Sequence, residues 1–343
     1  MRYPWANAFI LATAALSLVS GYFGMTAGDA ARAWYLDLHR VSGYGVVVLL
    51  LWKGHNILAP VLRRFGRWSG QDLAAMLMLA LLLASLGLGV AWAHAGRFSL
   101  LGFSGLTWHI NVGLAVVPLL GWHLLRYYRL LRPRYWAERR AVLRMTGLAA
   151  AGILIWQATA RVERVAAWAG ASRRFTGSYP AGDFSGNAFP TTSWLNDDPR
   201  PILRDTWRLE VSGAVERGLS LRLDDLIADA SLTATLDCTG GWHSTQRWRG
   251  VPLGSVLDMA SPTERAASVS VVSATGYYRR FSLNEAREML LASHVGGEPL
   301  SHGHGAPLRL VVRGKRGFEW VKWVTRLEVN ETGKWLQPPL PIQ

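Results

Sequence analysis

The chain has 343 residues, one cysteine and a net charge of +14, enough length for two domains with separate cores and too few thiols for an internal disulfide. Its basicity is local: up to Ala160 there are 15 Lys and Arg against 4 Asp and Glu, and beyond it 22 against 19. Most of the excess flanks apolar segments rather than gathering on a soluble face, which excludes nucleic acid as a partner.

The first half reads as five membrane crossings. Ala6 to Met25, Leu73 to His94 and Leu106 to Leu125 contain no Asp, Glu, Lys or Arg, and each approaches the ~20 apolar residues that cross a bilayer. Val41 to Leu62 contains Lys53, read here as a residue whose long stem reaches the interface. Met145 to Ala160 is shorter and richer in Ala and Gly.

Loop charges set the expected orientation. One side carries 11 arginines, Arg2, Arg63, Arg64, Arg67, Arg126, Arg129, Arg132, Arg134, Arg139, Arg140 and Arg144; the other carries three, Arg32, Arg40 and Arg97. The positive-inside rule places the N-terminus in the cytoplasm and, after five crossings, the second half outside. The expected location is therefore the inner membrane, multi-pass, with the second half on the periplasmic side. Arg139 and Arg140 precede a weakly apolar run, which resembles a twin-arginine export signal retained as an anchor. The twin-arginine export machinery is then a partner; the plainer reading is ordinary positive-inside arginine.

Four of the nine histidines belong to two of these spans, His39 just before and His55 within the second, His109 and His123 on the fourth. A single intramembrane histidine usually makes an interhelical hydrogen bond, but facing pairs supply both axial ligands of a haem. His109 and His123 are 14 residues apart, which returns to nearly the same helix face over ~21 Å. His39 and His55 are 16 apart, a rotation of ~160°, so one of them is out of line. Bending at Gly43 and Gly45, or substitution of His39 by His94, would restore an outer pair. The arrangement resembles di-haem b-type membrane cytochromes. That resemblance covers about the first 130 residues and implies one or two b haems exchanging electrons with a quinone or quinol.

After Arg173 the chain changes character. A Gly, Ser, Pro and Asp-rich loop leads into short apolar alternations such as TWRLEVSGAV, SVSVVSAT and PLRLVVRG, with brief helical stretches such as NEAREMLLAS. This predicts a sheet-rich α+β domain behind an all-α membrane bundle. The expected divisions are 1–132 for the cytochrome-like region, 133–172 for signal anchor and linker, and 173–343 for the outer domain.

The ordered series FTGSYPAGDFSGNAFPTTSWL, WRLEVSGAV, LDCTGGW with WRGVPLGSVLD, ATGYYRRFSLNEA, HGAPLRLVV and GFEWVKWVTRLEV resembles the molybdopterin domain of the sulfite oxidase family. The resemblance implies that Cys238 is the thiolate bound to molybdenum beside the dithiolene of one pyranopterin, a soft donor suited to that metal. It implies that His304, Arg309 and Lys322 hold the pterin and its phosphate through charge-assisted hydrogen bonds. Gly317 and Phe318 would bring backbone N–H groups to the anion, Asn187 and Phe189 would border the cofactor, and Tyr277 or Tyr278 would line the substrate pocket. Outside this context Arg309 and Lys322 read as surface charges, and the His302–His304 pair is a weak zinc signal without a third ligand. Arg249, Arg279 and Arg280 are further anion-attracting candidates.

Two departures bear on the substrate. The arginine loop with which sulfite oxidases hold an oxyanion is replaced by SGNAFPTTS, and the chain ends soon after Trp335. Both shift the resemblance toward the monomeric bacterial methionine sulfoxide reductase type. The expected function is quinol-driven reduction of an S-oxide or N-oxide at a molybdenum centre fed by b haems. The first alternative is oxidation of sulfite or a related small substrate with electrons delivered to quinone. The second, of another class, is a histidine-relay transporter or sensor with a non-catalytic outer domain.

Overall fold

The computed structural model describes residues 4–63, 66, 68–128, 132–133, 136–193, 197–338 and 340; within these, the side chains of residues 4, 55–58, 60–62 and 127 are left undescribed. The chain forms two compact units, Met1–Gly177 and Ser178–Gln343.

The first unit is helical. It contains α1 (Pro4–Thr26), α2 (Trp34–Arg63), α3 (Gly70–Ala95), α4 (Gly105–Tyr127) and α5 (Arg139–Val165), with a two-residue hairpin, β1 (Ser99–Leu100) and β2 (Phe103–Ser104), joining α3 to α4. Helix α1 packs on α2, α3 on α4, and α2 also on α5. The α2–α5 crossing is made close by glycine: a Cβ on Gly152 would lie 3.1 Å from the Val41 carbonyl oxygen and 3.5 Å from the Gly45 amide nitrogen. Ser69 starts α3 with a capping box closed by Asp72, and Ser104 caps α4 through the Thr107 amide.

Among the described residues, four helical stretches are long and apolar enough to cross a membrane: Trp5–Thr26, Gly70–Ala95, Gly105–Arg126 and Arg139–Val165. Helix α2, which contains the expected Val41 to Leu62 crossing, is not in that set. It is a continuous helix carrying Asp37, Arg40, Lys53 and Arg63, with Val46, Leu49 and Lys53 turned inward and buried. The expected fifth span is longer than its apolar run, because α5 begins at the Arg139–Arg140 pair and continues to Val165.

The second unit is built on two sheets. Its strands are β3 (Tyr179–Pro180), β4 (Leu209–Gly213), β5 (Leu219–Leu221), β6 (Ala230–Asp237), β7 (Trp242–Pro252), β8 (Ser268–Ser273), β9 (Tyr278–Ser282), β10 (Leu290–Val295), β11 (Glu298–Pro299), β12 (Arg309–Val311) and β13 (Val324–Asn330), with short helices α6 (Leu253–Ala260) and α7 (Leu283–Arg287). One sheet runs β11-β10-β7-β3, with β12 also paired to β10 and β6 to β7; the other runs β5-β4-β13-β8-β9. All pairings are antiparallel except β13 with β4 and β3 with β7. Leu209, Trp248, Leu253, Leu257, Leu291, Leu310 and Leu327 belong to one continuous apolar core. This is the sheet-rich domain that the short alternating segments predict. Its register matters for function because β6 and β7 form a hairpin with Asp237 opposite His243, so the chain between them is the tight turn that carries Cys238.

Candidate functional site

Cys238 follows the last residue of β6, in a turn closed by backbone hydrogen bonds from its own N–H to the Trp242 carbonyl (2.8 Å) and from the Gly241 N–H back to the Cys238 carbonyl (3.1 Å). Gly241 has φ +91°, a conformation that glycine adopts without strain. The Gly240 N–H donates to the Cys238 Sγ at 3.3 Å. Burial pushes the thiol up, against the pull of the Gly240 amide, the Arg316 guanidinium and the Thr192 hydroxyl. Left to itself this thiol stays protonated, so a bound metal would be what holds it as thiolate.

Beneath the turn lies a buried ion pair that the sequence reading did not single out. Arg316 Nη1 donates to Asp237 Oδ1 at 2.7 Å and Nη2 to the Cys238 carbonyl at 3.2 Å, while the Ser178 hydroxyl donates to the same Asp237 oxygen at 2.7 Å. Both charged side chains are 2% exposed. Breaking one partner of such a pair leaves an uncompensated buried charge, so the pair fixes the turn in place. The only sequence signal was adjacency, Asp237 before the cysteine and Arg316 before Gly317, and spacing alone could not join two segments 79 residues apart.

The turn opens on a cleft. Of the expected residues, Phe189, Cys238, Tyr277, His304, Arg309, Gly317, Phe318 and Lys322 line it. Thr191, Thr192, Ser193, Asp197, Trp242, Trp320 and Trp323, which the sequence reading did not name individually, line it as well. The Phe189 loop, the Cys238 turn, the β8–β9 connection at Tyr277, the His304 turn and the Gly317–Trp323 segment converge here. Gly305, at φ +105°, permits the close approach, since a Cβ there would meet the Lys322 Cβ at 3.0 Å and the Arg309 Cβ at 3.1 Å.

Arg309 is 1% exposed. Its Nη1 donates to the His304 carbonyl at 2.9 Å, and its guanidinium stacks over Trp248 and Trp320 at 5.0 and 5.7 Å from the ring centres. Its Nε has no hydrogen-bond partner among the described residues. Burial drives its pKa down to about 9. Lys322 Nζ donates to the Gly303 carbonyl at 2.7 Å and the Ser193 hydroxyl at 3.3 Å; burial and the neighbouring Arg309 bring it to about 8, opposed by Cys238, Asp197 and Asp198. Neither cation has a carboxylate within 4.0 Å among the described residues. Two desolvated cations in one cleft, with no carboxylate in ion-pair contact among the described residues, make a site for an anion.

His304 is locked rather than free. Its Nε2–H donates to the Phe189 carbonyl at 3.0 Å, its Nδ1 accepts from the Ser301 hydroxyl at 2.7 Å, and its ring packs on Phe189 with centres 4.0 Å apart. Burial holds it down to about 4, so it is neutral at physiological pH. The Tyr277 hydroxyl donates to the Phe318 carbonyl, and burial raises its pKa. Asn187 lies outside the cleft lining: its amide bridges the Pro299 carbonyl and the Ser301 N–H, both at 2.9 Å, tying the Phe189 loop to the His304 turn. Tyr278 starts β9 and does not line the cleft. Nor do Arg279, stacked over Phe318 and donating to the Pro338 carbonyl, Arg280, bonded to Ser270 and Thr332, or the exposed Arg249. His302 faces Asp198 at 3.5 Å, and among the described residues no cluster of three or more His, Cys, Asp or Glu side chains forms a metal cage.

In the helical unit, His39 and His109 face each other with ring centres 5.7 Å apart and planes at 74°. The Nδ1–H of His39 donates to the Ser17 carbonyl and that of His109 to the Ser85 carbonyl, each at 2.8 Å. His94, the expected reserve ligand, sits among polar neighbours. Its Nε2 is 2.7 Å from the Tyr44 hydroxyl and its Nδ1 is 2.6 Å from Glu163 Oε1, and Glu163 is held in turn by both oxygens to Arg173. The α2 helix carries no break after His39, so bending at Gly43 and Gly45 is not needed to bring His39 to His109. His123 is half-buried on α4, beyond Pro118; the expected inner pair with His55 lies outside the described residues, because the His55 side chain is one of those left out.

Residues 197–335 match the family model of the oxidoreductase molybdopterin binding domain. Among curated proteins, the chain is 34% identical over 145 residues to the protein-methionine-sulfoxide reductase catalytic subunit MsrP of Xanthomonas campestris pv. campestris, covering 36% of this chain and 45% of that one. It is 30% identical over 209 residues to inducible nitrate reductase [NADH] 1 of Glycine max, covering 46% of this chain and 23% of that one. Among solved structures it matches the sulfane dehydrogenase SoxCD of Paracoccus pantotrophus at 28% identity and a TM-score of 0.37, covering 38% of this chain and 40% of that one. The chain thus spans less than half the length of each of these relatives.

Proposed function

We propose that this chain, whose residues 197–335 are an oxidoreductase molybdopterin binding domain of the sulfite oxidase family, is a membrane-bound molybdenum-dependent oxidoreductase that takes electrons from a quinol through b haem and reduces an S-oxide or N-oxide at the periplasmic face. The observation that carries the reading is the cleft, with a buried thiol on one wall and two desolvated cations without carboxylate partners on another.

These residues fit the cofactor. A pterin that brings its own dithiolene needs one protein thiolate, and Cys238 is the chain's single cysteine. A pterin phosphate needs fixed cations, and Arg309 Nε is a buried donor with no partner among the described residues. Cys238 would bind the metal, and Arg309 with Lys322 would hold the phosphate. When bound, the cofactor supplies two-electron oxygen-atom transfer. The protein's own residues position and insulate. The Asp237–Arg316 pair holds the thiol turn, neutral His304 keeps the Phe189 loop closed, and Phe189, Trp242, Trp320 and Trp323 keep water from the walls. Tyr277 and Phe318, joined by their hydrogen bond, would border the substrate.

The haem part of the reading is supported by His39 and His109. Their 5.7 Å ring separation is close to two metal–imidazole bonds of ~2.0 Å each plus the ring half-widths. Their Nε2 atoms make no hydrogen bond among the described residues. A second haem between His55 and His123, five crossings with α2 as the second, the periplasmic orientation of the outer domain, export by the twin-arginine machinery and the divisions 1–132, 133–172 and 173–343 all belong to this proposal. The arginine asymmetry of the loops supports the orientation. Reduction rather than oxidation is favoured because the first two curated relatives reported above are by name reductases, of protein methionine sulfoxide and of nitrate.

The test is a screen of quinol oxidation by the purified full-length protein against sulfoxides, N-oxides, nitrate and chlorate, beside an assay of sulfite-dependent haem reduction. Turnover with an S-oxide or N-oxide supports the reading. Haem reduction by sulfite alone would reverse the direction of electron flow. A preparation with neither molybdenum nor a b-type spectrum would leave only a transporter or sensor.

A further inference from the structure

The helical unit contains the same local device twice. On α1, Ser17 offers its carbonyl to His39 Nδ1–H at 2.8 Å with its hydroxyl at 3.4 Å, and four residues later a Cβ on Gly21 would lie 2.9 Å from that same nitrogen. On α3, Ser85 offers its carbonyl to His109 Nδ1–H at 2.8 Å with its hydroxyl at 3.3 Å, and four residues later a Cβ on Gly89 would lie 2.9 Å from the His109 Cε1. Residues four apart share a helix face, so each serine and glycine pair forms one small hollow. Each hollow belongs to the first helix of a packed pair, α1 on α2 and α3 on α4, and each receives a histidine from the first two turns of the second helix.

We propose that Ser17 with Gly21 and Ser85 with Gly89 are two equivalent seats that position His39 and His109 as one axial ligand pair. The proposal rests on the haem reading above and adds what sets the ligands' orientation and strength. An Nδ1–H donated to a carbonyl fixes the tautomer, leaves Nε2 as the metal-binding nitrogen and makes it more basic. Glycine is required because any side chain at either position would tilt the ring off its carbonyl. The equivalence also explains why two imidazoles meet although neither helix contributes two of them: each is delivered by its own helical pair.

The experiment uses full-length protein with Gly21→Ala or Gly89→Ala, and Gly147→Ala on α5 as a control, because a Cβ there meets nothing within 4 Å. Alanine is the better helix former, so the helices themselves are not weakened. The readouts are the reduced absorption spectrum, the low-spin electron paramagnetic resonance signal of the oxidised protein and the haem midpoint potential. The seats predict that G21A and G89A each change the low-spin signal and raise the midpoint potential, as weaker donation from Nδ1–H makes the ligand less basic, while G147A matches the unaltered protein. G21A and G89A proteins that coincide with the unaltered one in signal and potential would overturn the seats and leave the haem reading standing. An unaltered protein without any b-type spectrum would instead remove the haem reading itself.

Discussion

Gly317 packs so closely on Cys238 that a side-chain carbon at position 317 would lie 3.2 Å from the Cys238 Cα and 3.3 Å from the Asp237 carbonyl oxygen. The Cys238 turn and the Arg316 to Glu319 turn are thus pressed together at a point with no room for a side chain. Gly317→Val should shift the thiol turn at a cost of about 1–3 kcal/mol. The protein should keep its circular dichroism while molybdenum content, measured by mass spectrometry of the purified protein, falls.

Cys238→Ser tests the ligand directly. Serine is nearly isosteric and the turn is held by backbone bonds, so folding should survive. Turnover should fall by more than the ~10–100-fold typical of residues that act on a metal through its ligands. Unchanged turnover per molecule, with unchanged metal content, would remove Cys238 from the centre.

Arg309→Met separates stability from binding. In cofactor-free protein the substitution removes a desolvated cation with no carboxylate partner, so the unfolding midpoint should stay level or rise. Cofactor affinity should weaken by about 1.5–3 kcal/mol, the worth of a hydrogen bond to a charged group. A lower midpoint together with normal cofactor retention would mean that Arg309 serves the fold alone.

Lys322 titrates near 8 in place of its ordinary 10.5. The unfolded chain keeps this proton up to the ordinary value, so burying the charged form costs stability below pH 8, and the cost is relieved as pH rises from 8 to 10.5. The folded site itself loses this positive charge around pH 8. Cofactor-free protein should therefore bind inorganic phosphate more weakly at pH 9.5 than at pH 7, measured by calorimetry, and Lys322→Met should reduce that dependence to the part that Arg309 contributes.

Glu285 gives the opposite sign. Burial alone would raise its carboxyl, but Lys334, Lys315 and the Ser282 cap outweigh it and hold it down to about 2. Its contribution is complete above pH 4.5 and lost as pH falls toward 2. With solvent screening, Glu285→Gln should cost roughly 1 kcal/mol at pH 7 and nothing near pH 2, read from urea unfolding at both.

His94→Gln should leave the b-type spectrum in place, because both ring nitrogens already serve Tyr44 and Glu163. His109→Leu should abolish the signal of the His39–His109 site. The reverse pattern in the reduced spectra would restore His94 as a ligand.

The cleft residues were named in the sequence through the resemblance of their short motifs to a molybdopterin domain, and the fold brings those motifs to one cleft. The Cys-Thr-Gly-Gly-Trp run marks a tight turn by its glycines, and His304, Arg309, Gly317 and Lys322 fall in or beside similar turns. The alternating segments likewise announced strands, although β8 departs from the half-exposed pattern its serines suggest. All six of its residues are buried, since Ser268 and Ser270 are covered and bonded by Thr332, Asn330 and Arg280 from later in the chain. The helical half was less legible. Rotation per residue indicated that His39 and His55 diverge, but could not say which one meets a partner.

By itself the sequence determined composition-level and local matters: apolar helices in one half, a sheet-rich domain in the other, a lone thiol in a glycine turn and arginines concentrated on one side of the expected spans. These follow from periodicity, chain stiffness and hydrophobic length, which act over a few residues. Only the tertiary structure decided that Asp237 is neutralised by Arg316, that Arg309 is buried with no carboxylate in ion-pair contact among the described residues, that His94 lies against Glu163, and that His39 meets His109. Each of these is a pairing across tens of residues, where the outcome depends on which charges and rings are desolvated together, and no local pattern carries that information.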